Sequence, residues 1–192
     1  LVSVCLTAAM TAFYCLRLWL WVFFRTPALA GAIATLVLIG DGSERRPLER
    51  LAQELGVHER VVWIGWSDEP RRYLGAFDVF AFPSRSEGFP LAVLEALLAR
   101  SAVVATDVGS VAEAIRDWET GLLVPAEDSA ALGGAIRRLL ADEALRRRLG
   151  EHGRRLVLER FTADRMTRAF ESLYDADREA RAVAAELIAV RA

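Results

Sequence analysis

The sequence predicts a doubly wound α/β domain with a helical C-terminal extension, and three observations carry that reading. Short apolar runs of four to six residues alternate with helical-period segments from Leu36 to Val124. Each run closes on glycine, proline or a polar turn residue, the pattern of strands buried on both faces of a parallel sheet. Beyond Val124 the strand pattern does not return, and the leucines keep helical spacing.

Taken in order, the chain opens on Leu1 to Phe24, which is almost continuously apolar and ends in Trp19, Trp21, Phe23 and Phe24. Only Arg17 and Arg25 are charged within the first 40 residues. A stretch of this length and an aromatic cluster beside Arg25 would suit a membrane and its interface. Arg17 inside the span opposes insertion. The expectation is a first strand, Leu1 to Val4, with a helix over Thr11 to Phe24 packed on the sheet. A peripheral membrane contact is the alternative. The chain begins at Leu and reads as the later part of a longer protein.

Regular organisation follows. Leu36-Val-Leu-Ile39 closes on Gly40-Asp-Gly42, then comes a helical segment spaced by Leu48, Leu51 and Leu55. Val61-Val-Trp-Ile64 closes on Gly65. Val79-Phe-Ala-Phe82 and Ala102-Val-Val-Ala-Thr106 flank a helix from Pro90 to Ala99, and Leu122-Leu-Val124 ends the series. Asp128, Asp142 and Thr162 stand where helix N-caps belong. The third of these helices carries Met166, Phe170 and Leu173 as its apolar stripe. The predicted division is 1–35 as an atypical hydrophobic segment, 36–175 as the α/β domain, and 176–192 as a helical tail.

Composition excludes several classes. The 192 residues are 54% hydrophobic with a net charge of -2, so the chain folds and offers no basic surface to a phosphate polymer. No nucleic-acid partner is expected. All 24 basic residues are Arg. Cys5 and Cys15 share one apolar stretch and suggest neither a disulfide framework nor a metal site. The expected location is the cytoplasm, with membrane association as the alternative. No cofactor and no metal are called for.

The chemistry concentrates in Phe82-Pro-Ser-Arg-Ser-Glu-Gly-Phe-Pro-Leu-Ala-Val-Leu-Glu-Ala96. Ligands of open parallel sheets bind outside the carboxyl ends of strands, where this loop lies. Backbone amides around Gly88 and Phe89, with the following helix dipole, are expected to form an anion site that needs no Lys. Gly88 permits close approach to the backbone. Ser86 or Glu87 could instead merely cap the helix. Glu95 is the only polar residue of its helix, so it is expected to be buried and in need of donors. Sugar hydroxyls supply such donors; an Arg or backbone amides would do so too.

Glu87 and Glu95, framed as Pro-Ser-x-x-Glu-Gly-Phe-Pro, resemble the signature of retaining glycosyltransferases of the GT-B fold, in their large family four. The surrounding frame agrees in order from about Leu36 to Tyr174: Leu-Val-Leu-Ile-Gly-Asp-Gly, Val-Val-Trp-Ile-Gly, Phe-Asp-Val-Phe-Ala-Phe-Pro-Ser, then Glu-Thr-Gly-Leu-Leu-Val-Pro. The resemblance implies a Rossmann-like C-terminal half of a GT-B fold that binds a nucleoside-diphosphate sugar. Its partner would be an N-terminal acceptor-binding domain, which this chain lacks. By that resemblance Glu87 is catalytic and touches the transferred sugar, and Glu95 holds the ribose. Ser86, Gly88, Phe89 and Gly42 join in binding the donor, and Glu113 fills the family's Gly-x-x-Glu position.

Departures accompany the match. The family's first strand is normally followed by Gly-Arg and then a Lys that neutralise the leaving diphosphate. Here Cys5-Leu-Thr-Ala-Ala-Met-Thr-Ala12 has no cation. A shifted reading frame or divergence would each produce that. Ser110, Ala112 and Trp118 stand where Gly, Pro and Gly are usual. A dinucleotide fingerprint fails because Gly40-Asp-Gly42 lacks a third glycine, and neither His58 nor His152 accompanies a nucleophile elbow. Two functions remain: hexosyl transfer with retention, or a noncatalytic nucleotide-sugar-binding or structural remnant of such an enzyme.

Overall fold

The computed structural model describes residues 2–7 and 34–189. Six strands form one sheet in the order β3-β2-β1-β4-β5-β6. They are β1 (Val2–Thr7), β2 (Ala34–Ile39), β3 (Val61–Gly65), β4 (Val79–Phe82), β5 (Ala102–Thr106) and β6 (Leu122–Val124). All neighbouring pairs are parallel. The sequence reason is plain in β4 and β5, where every residue is buried, as helices on both faces demand. β3 lies at an edge, and its Val62 is exposed.

β1 runs three residues further than the Leu1 to Val4 expected, because Thr7 still pairs with Ile39. Cys5, Leu6 and Thr7, the first part of the stretch without a cation, are therefore strand. The rest of that stretch and the helix expected over Thr11 to Phe24 lie outside the described residues.

From β1 the chain builds outward through β2 and β3, then crosses to β4 and builds the other way. The order reverses between β1 and β4, which makes that gap the topological switch point, the place where such sheets hold ligands. Helices α1 (Arg45–Glu54), α2 (Arg71–Leu74), α3 (Leu91–Leu98) and α4 (Val111–Ala114) follow strands β2 to β5 in turn.

Helix α5 (Ser129–Ala141) packs on the sheet through Leu132, Ile136 and Leu139, none more than 1% exposed. They meet Leu36, Val79, Ala81 and Val104 in the main core cluster. Each such side chain contributes about 1.5–3 kcal/mol on burial. The caps are where the sequence put them. Asp128 Oδ1 accepts from the Ala131 amide at 2.8 Å, and Asp142 Oδ1 from the Leu145 amide at 2.8 Å. Such a cap contributes about 1 kcal/mol. Asp142 opens α6 (Glu143–Arg160), and Thr162 Oγ1 accepts from the Arg165 amide of α7 (Ala163–Ala189) at 3.3 Å.

The chain forms two compact units, Leu1–Val157 and Leu158–Ala192. The boundary expected at 175/176 falls inside α7, which runs unbroken to Ala189. In the second unit Met166, Phe170 and Leu173 are exposed along α7. Among the described residues no helix is long and apolar enough to cross a membrane.

Candidate functional site

The loop joining β4 to α3 lies at the switch point, since β4 is hydrogen-bonded to β1 on one side and β5 on the other. Gly65 ends β3, while Gly40 and Ser84 follow the carboxyl ends of the parallel β2 and β4, so the three line one edge. Gly40 and Gly65 are bridged directly, with the Gly40 amide donating to the Gly65 carbonyl at 2.8 Å.

Residues 83–90 have no regular structure, yet they are held from several sides. Thr106, the buried last residue of β5, donates its hydroxyl to the Ser84 carbonyl at 2.5 Å. Ser84, 2% exposed, donates its own hydroxyl to Glu87 Oε1 at 2.5 Å. The Ser110 amide donates to the Gly88 carbonyl at 3.2 Å. Beside it Gly109 adopts φ +53°, and a Cβ there would stand 1.8 Å from the Glu87 carbonyl oxygen. Only glycine fits both the left-handed backbone and that approach. Arg85 ties the loop to the β6–α5 connection through Glu127 at 2.7 Å.

This arrangement removes the capping alternative for Ser86 and Glu87. The N-cap of α3 is Pro90, with no side-chain cap bond, so the proline sits one position earlier than the helical start expected of it. The amides of Gly88, Leu91 and Ala92 find no acceptor among the described residues. Ser86, Gly88 and Phe89 are exposed, and open space faces the position of a Gly88 Cβ. Unpaired amides at a helix start, beside a glycine with free space, form a place for an anion.

Glu95 is half-buried, on a helix that turns Leu91 (67% exposed) and Leu98 (39% exposed) away from the core. The inward residues are Val93, Ala96 and Leu97. Among the described residues no Arg or backbone donor reaches its carboxylate.

Gly42 lies on the same edge, exposed, in a turn whose geometry it helps close. Its amide goes to Asp41 Oδ1 at 2.8 Å and its carbonyl accepts the Arg45 amide at 3.1 Å. Arg45 itself is bound to Glu49 at 2.9 Å and Asp41 at 3.2 Å. The Glu49 hydrogen bond, then the Asp41 charge, raise its pKa above the ordinary guanidinium value. Glu113 is exposed within α4. Among the described residues no cluster of His, Cys, Asp and Glu could hold a metal. Sequence reasoning overlooked Ser84, Thr106 and Gly109, which position the loop.

Comparison with known proteins decides the family. The profile of the glycosyl transferases group 1 family matches residues 30–156. The chain belongs to that family. Among curated glycosyltransferases, it is 38% identical over 138 residues to the lipopolysaccharide core biosynthesis glycosyltransferase LpsE of Rhizobium meliloti (strain 1021), covering 72% of this chain and 41% of LpsE. It is 32% identical to the N-acetyl-alpha-D-glucosaminyl L-malate synthase of Bacillus anthracis, covering 73% of this chain and 37% of that enzyme. The chain thus spans about two fifths of the length of these relatives. In fold it is similar to Anabaena HepE in complex with UDP, with a TM-score of 0.81 at 19% identity, over 91% of this chain and 48% of HepE. It is similar as well to the C-terminal domain of the group 1 glycosyl transferase LpcC from Francisella tularensis, with a TM-score of 0.72 at 24% identity, over 84% and 87%. The sheet described above is the Rossmann-like half of a GT-B fold.

Proposed function

We propose that this chain is the donor-binding half of a retaining hexosyltransferase, completed by an N-terminal acceptor-binding domain. One observation carries the reading: the switch-point loop presents Glu87, the unpaired Gly88 amide and the start of α3 together at the sheet edge. The diphosphate of a nucleoside-diphosphate sugar lies on the amides of Gly88 and Phe89 with Ser86 beside them, where aligned N–H dipoles oppose its charge. Glu95 accepts the ribose hydroxyls. Glu87, oriented by Ser84, accepts hydroxyls of the transferred sugar, and Gly42 lines the same edge. As the glycosidic bond breaks, charge grows on the diphosphate, and fixed donors already aimed there stabilise it without reorganising.

The experiment is titration calorimetry of the chain with uridine, guanosine and adenosine diphosphates and with their glucose conjugates. One nucleotide series binds, and its sugar conjugate binds more tightly than the free diphosphate. In Glu87→Gln the folded variant keeps its affinity for the free diphosphate and loses most of the sugar's added affinity, about 1.5–3 kcal/mol for a hydrogen bond to a charged acceptor. Absence of binding by any of them would reject the donor reading and leave a structural remnant. Equal losses for conjugate and free diphosphate would remove Glu87 from the sugar.

A further inference from the structure

A cavity of about 260 Å³ opens beside the outer strand of the sheet, between β6, α5 and the turn that holds Asp117 and Trp118. That turn leads into the first residues of β6, whereas Glu87 follows the last residues of β4. In a parallel sheet the Asp117–Trp118 turn and Glu87 therefore stand toward opposite ends of the strands, although the cavity itself extends along β6 to Val124. The cavity is lined by the apolar Leu122, Val124 and Ala135, with Asp117 and Arg138 as its charged members.

Trp118 occupies a backbone position hostile to any side chain, with φ +62°. Strained residues of this kind persist where surrounding contacts over-determine them, and they cluster at ligand clamps. Here the Arg138 guanidinium lies over the indole, 4.9 Å from the ring centroid, and the residue stays 46% exposed. Asp117 Oδ1 accepts from the Leu123 amide at 2.9 Å. That bond occupies an amide of the outer strand and so blocks pairing with an added strand. Among the described residues no donor reaches Asp117 Oδ2, and no acceptor takes the Arg138 N–H groups.

The chemistry selects the occupant. The volume lies below the roughly 300–1,000 Å³ of sites for drug-sized ligands, so it suits one ring. Arg138 alone would favour an anion, but Asp117 beside it opposes one. Neutral hydroxyls satisfy both, because each donates to a carboxylate and accepts from a guanidinium. A pyranose offers such hydroxyls around an apolar C–H face that an indole can cover. We propose that Trp118, Asp117 and Arg138 form a saccharide-binding subsite, apart from the donor site and independent of which donor binds there.

Proton–nitrogen correlation NMR of the tryptophan indole groups tests it. The whole chain is titrated with maltotriose and with chitotriose, beside the Trp118→Gly variant. Glycine suits the left-handed backbone, so the variant folds while losing the platform. Its missing signal identifies Trp118 among the five tryptophans. At least one saccharide shifts that signal saturably, with a dissociation constant on the order of 1 mM, and Arg138→Gln weakens the effect about tenfold. Unchanged affinity for nucleoside diphosphates in Trp118→Gly separates this subsite from the donor site. A Trp118 signal indifferent to both saccharides, or saccharide shifts that survive in Trp118→Gly, would overturn the proposal. A signal that moves only on dilution of the protein would overturn it too, giving the surface to a second copy of the chain.

Discussion

Glu87 and Glu95 stand eight residues apart, one in the β4–α3 loop and one on α3, and the protein treats them differently. The loop carboxylate is anchored through a short chain: Thr106 fixes the Ser84 backbone, and Ser84 fixes Glu87. The helix carboxylate is placed only by its backbone, with a half-exposed side chain and no partner among the described residues. Preorganisation lowers the ordering cost of binding. On the proposed assignment the sugar contact is ready before the donor arrives, whereas the ribose contact is completed by it. Changes around Glu87 should therefore affect folding and binding together, while changes at Glu95 should affect binding alone.

The largest effect is expected from Gly109→Ala, which attacks the anchored side of this comparison. The new Cβ would lie 1.8 Å from the Glu87 carbonyl oxygen at a φ of +53°. Backbone cannot yield to backbone cheaply, so the 83–90 loop or the 107–110 turn must move. Stability should fall by about 2–4 kcal/mol, and donor affinity with it. Urea unfolding and calorimetry on the same preparation measure both. A variant as stable as the wild type, binding donor equally well, would show that the turn does not position Glu87.

The open side is probed by Glu95→Gln. The amide is isosteric, and no protein bond is lost among the described residues, so unfolding should stay within about 0.5 kcal/mol of the wild type. Affinity for the nucleoside diphosphate should drop by about 1.5–3 kcal/mol if the carboxylate accepts ribose hydroxyls. Loss of stability without loss of affinity would make Glu95 structural and erase the contrast with Glu87.

The two carboxylates differ in how far the sequence revealed them. Strand composition made the sheet readable: β4 and β5 are apolar at nearly every position because both faces are covered. Caps were readable because Asp128 and Asp142 act within three residues of themselves. The surroundings of Glu87 depend instead on Thr106 and Gly109, about twenty residues away, and no local pattern signals that approach. The outward side of α3 was hidden for a related reason. A helix of leucine, alanine and valine has no polar stripe to show which side turns outward, and tertiary packing alone leaves Leu91 and Leu98 exposed. Trp118 was noted only as a departure from the expected glycine; the left-handed turn that explains the glycine became visible in the backbone.

The smallest and most discriminating change is Ser84→Ala. The serine is buried, and its hydroxyl bond to Glu87 Oε1 at 2.5 Å is charge-assisted. Removing it leaves Glu87 half-exposed, free to take water in place of the hydroxyl, so the carboxylate is not stranded. The stability cost should be only about 1 kcal/mol. Binding should separate two ligands that share a nucleotide. Affinity for the free diphosphate should hold, since Glu87 does not touch it on the proposed assignment. Affinity for the sugar conjugate should fall several-fold, roughly 1 kcal/mol, because the carboxylate must now be ordered by the sugar itself. Parallel calorimetric titrations of the variant with both ligands give the comparison directly. Equal weakening of the two would place the Ser84 effect in the loop backbone rather than in the orientation of Glu87.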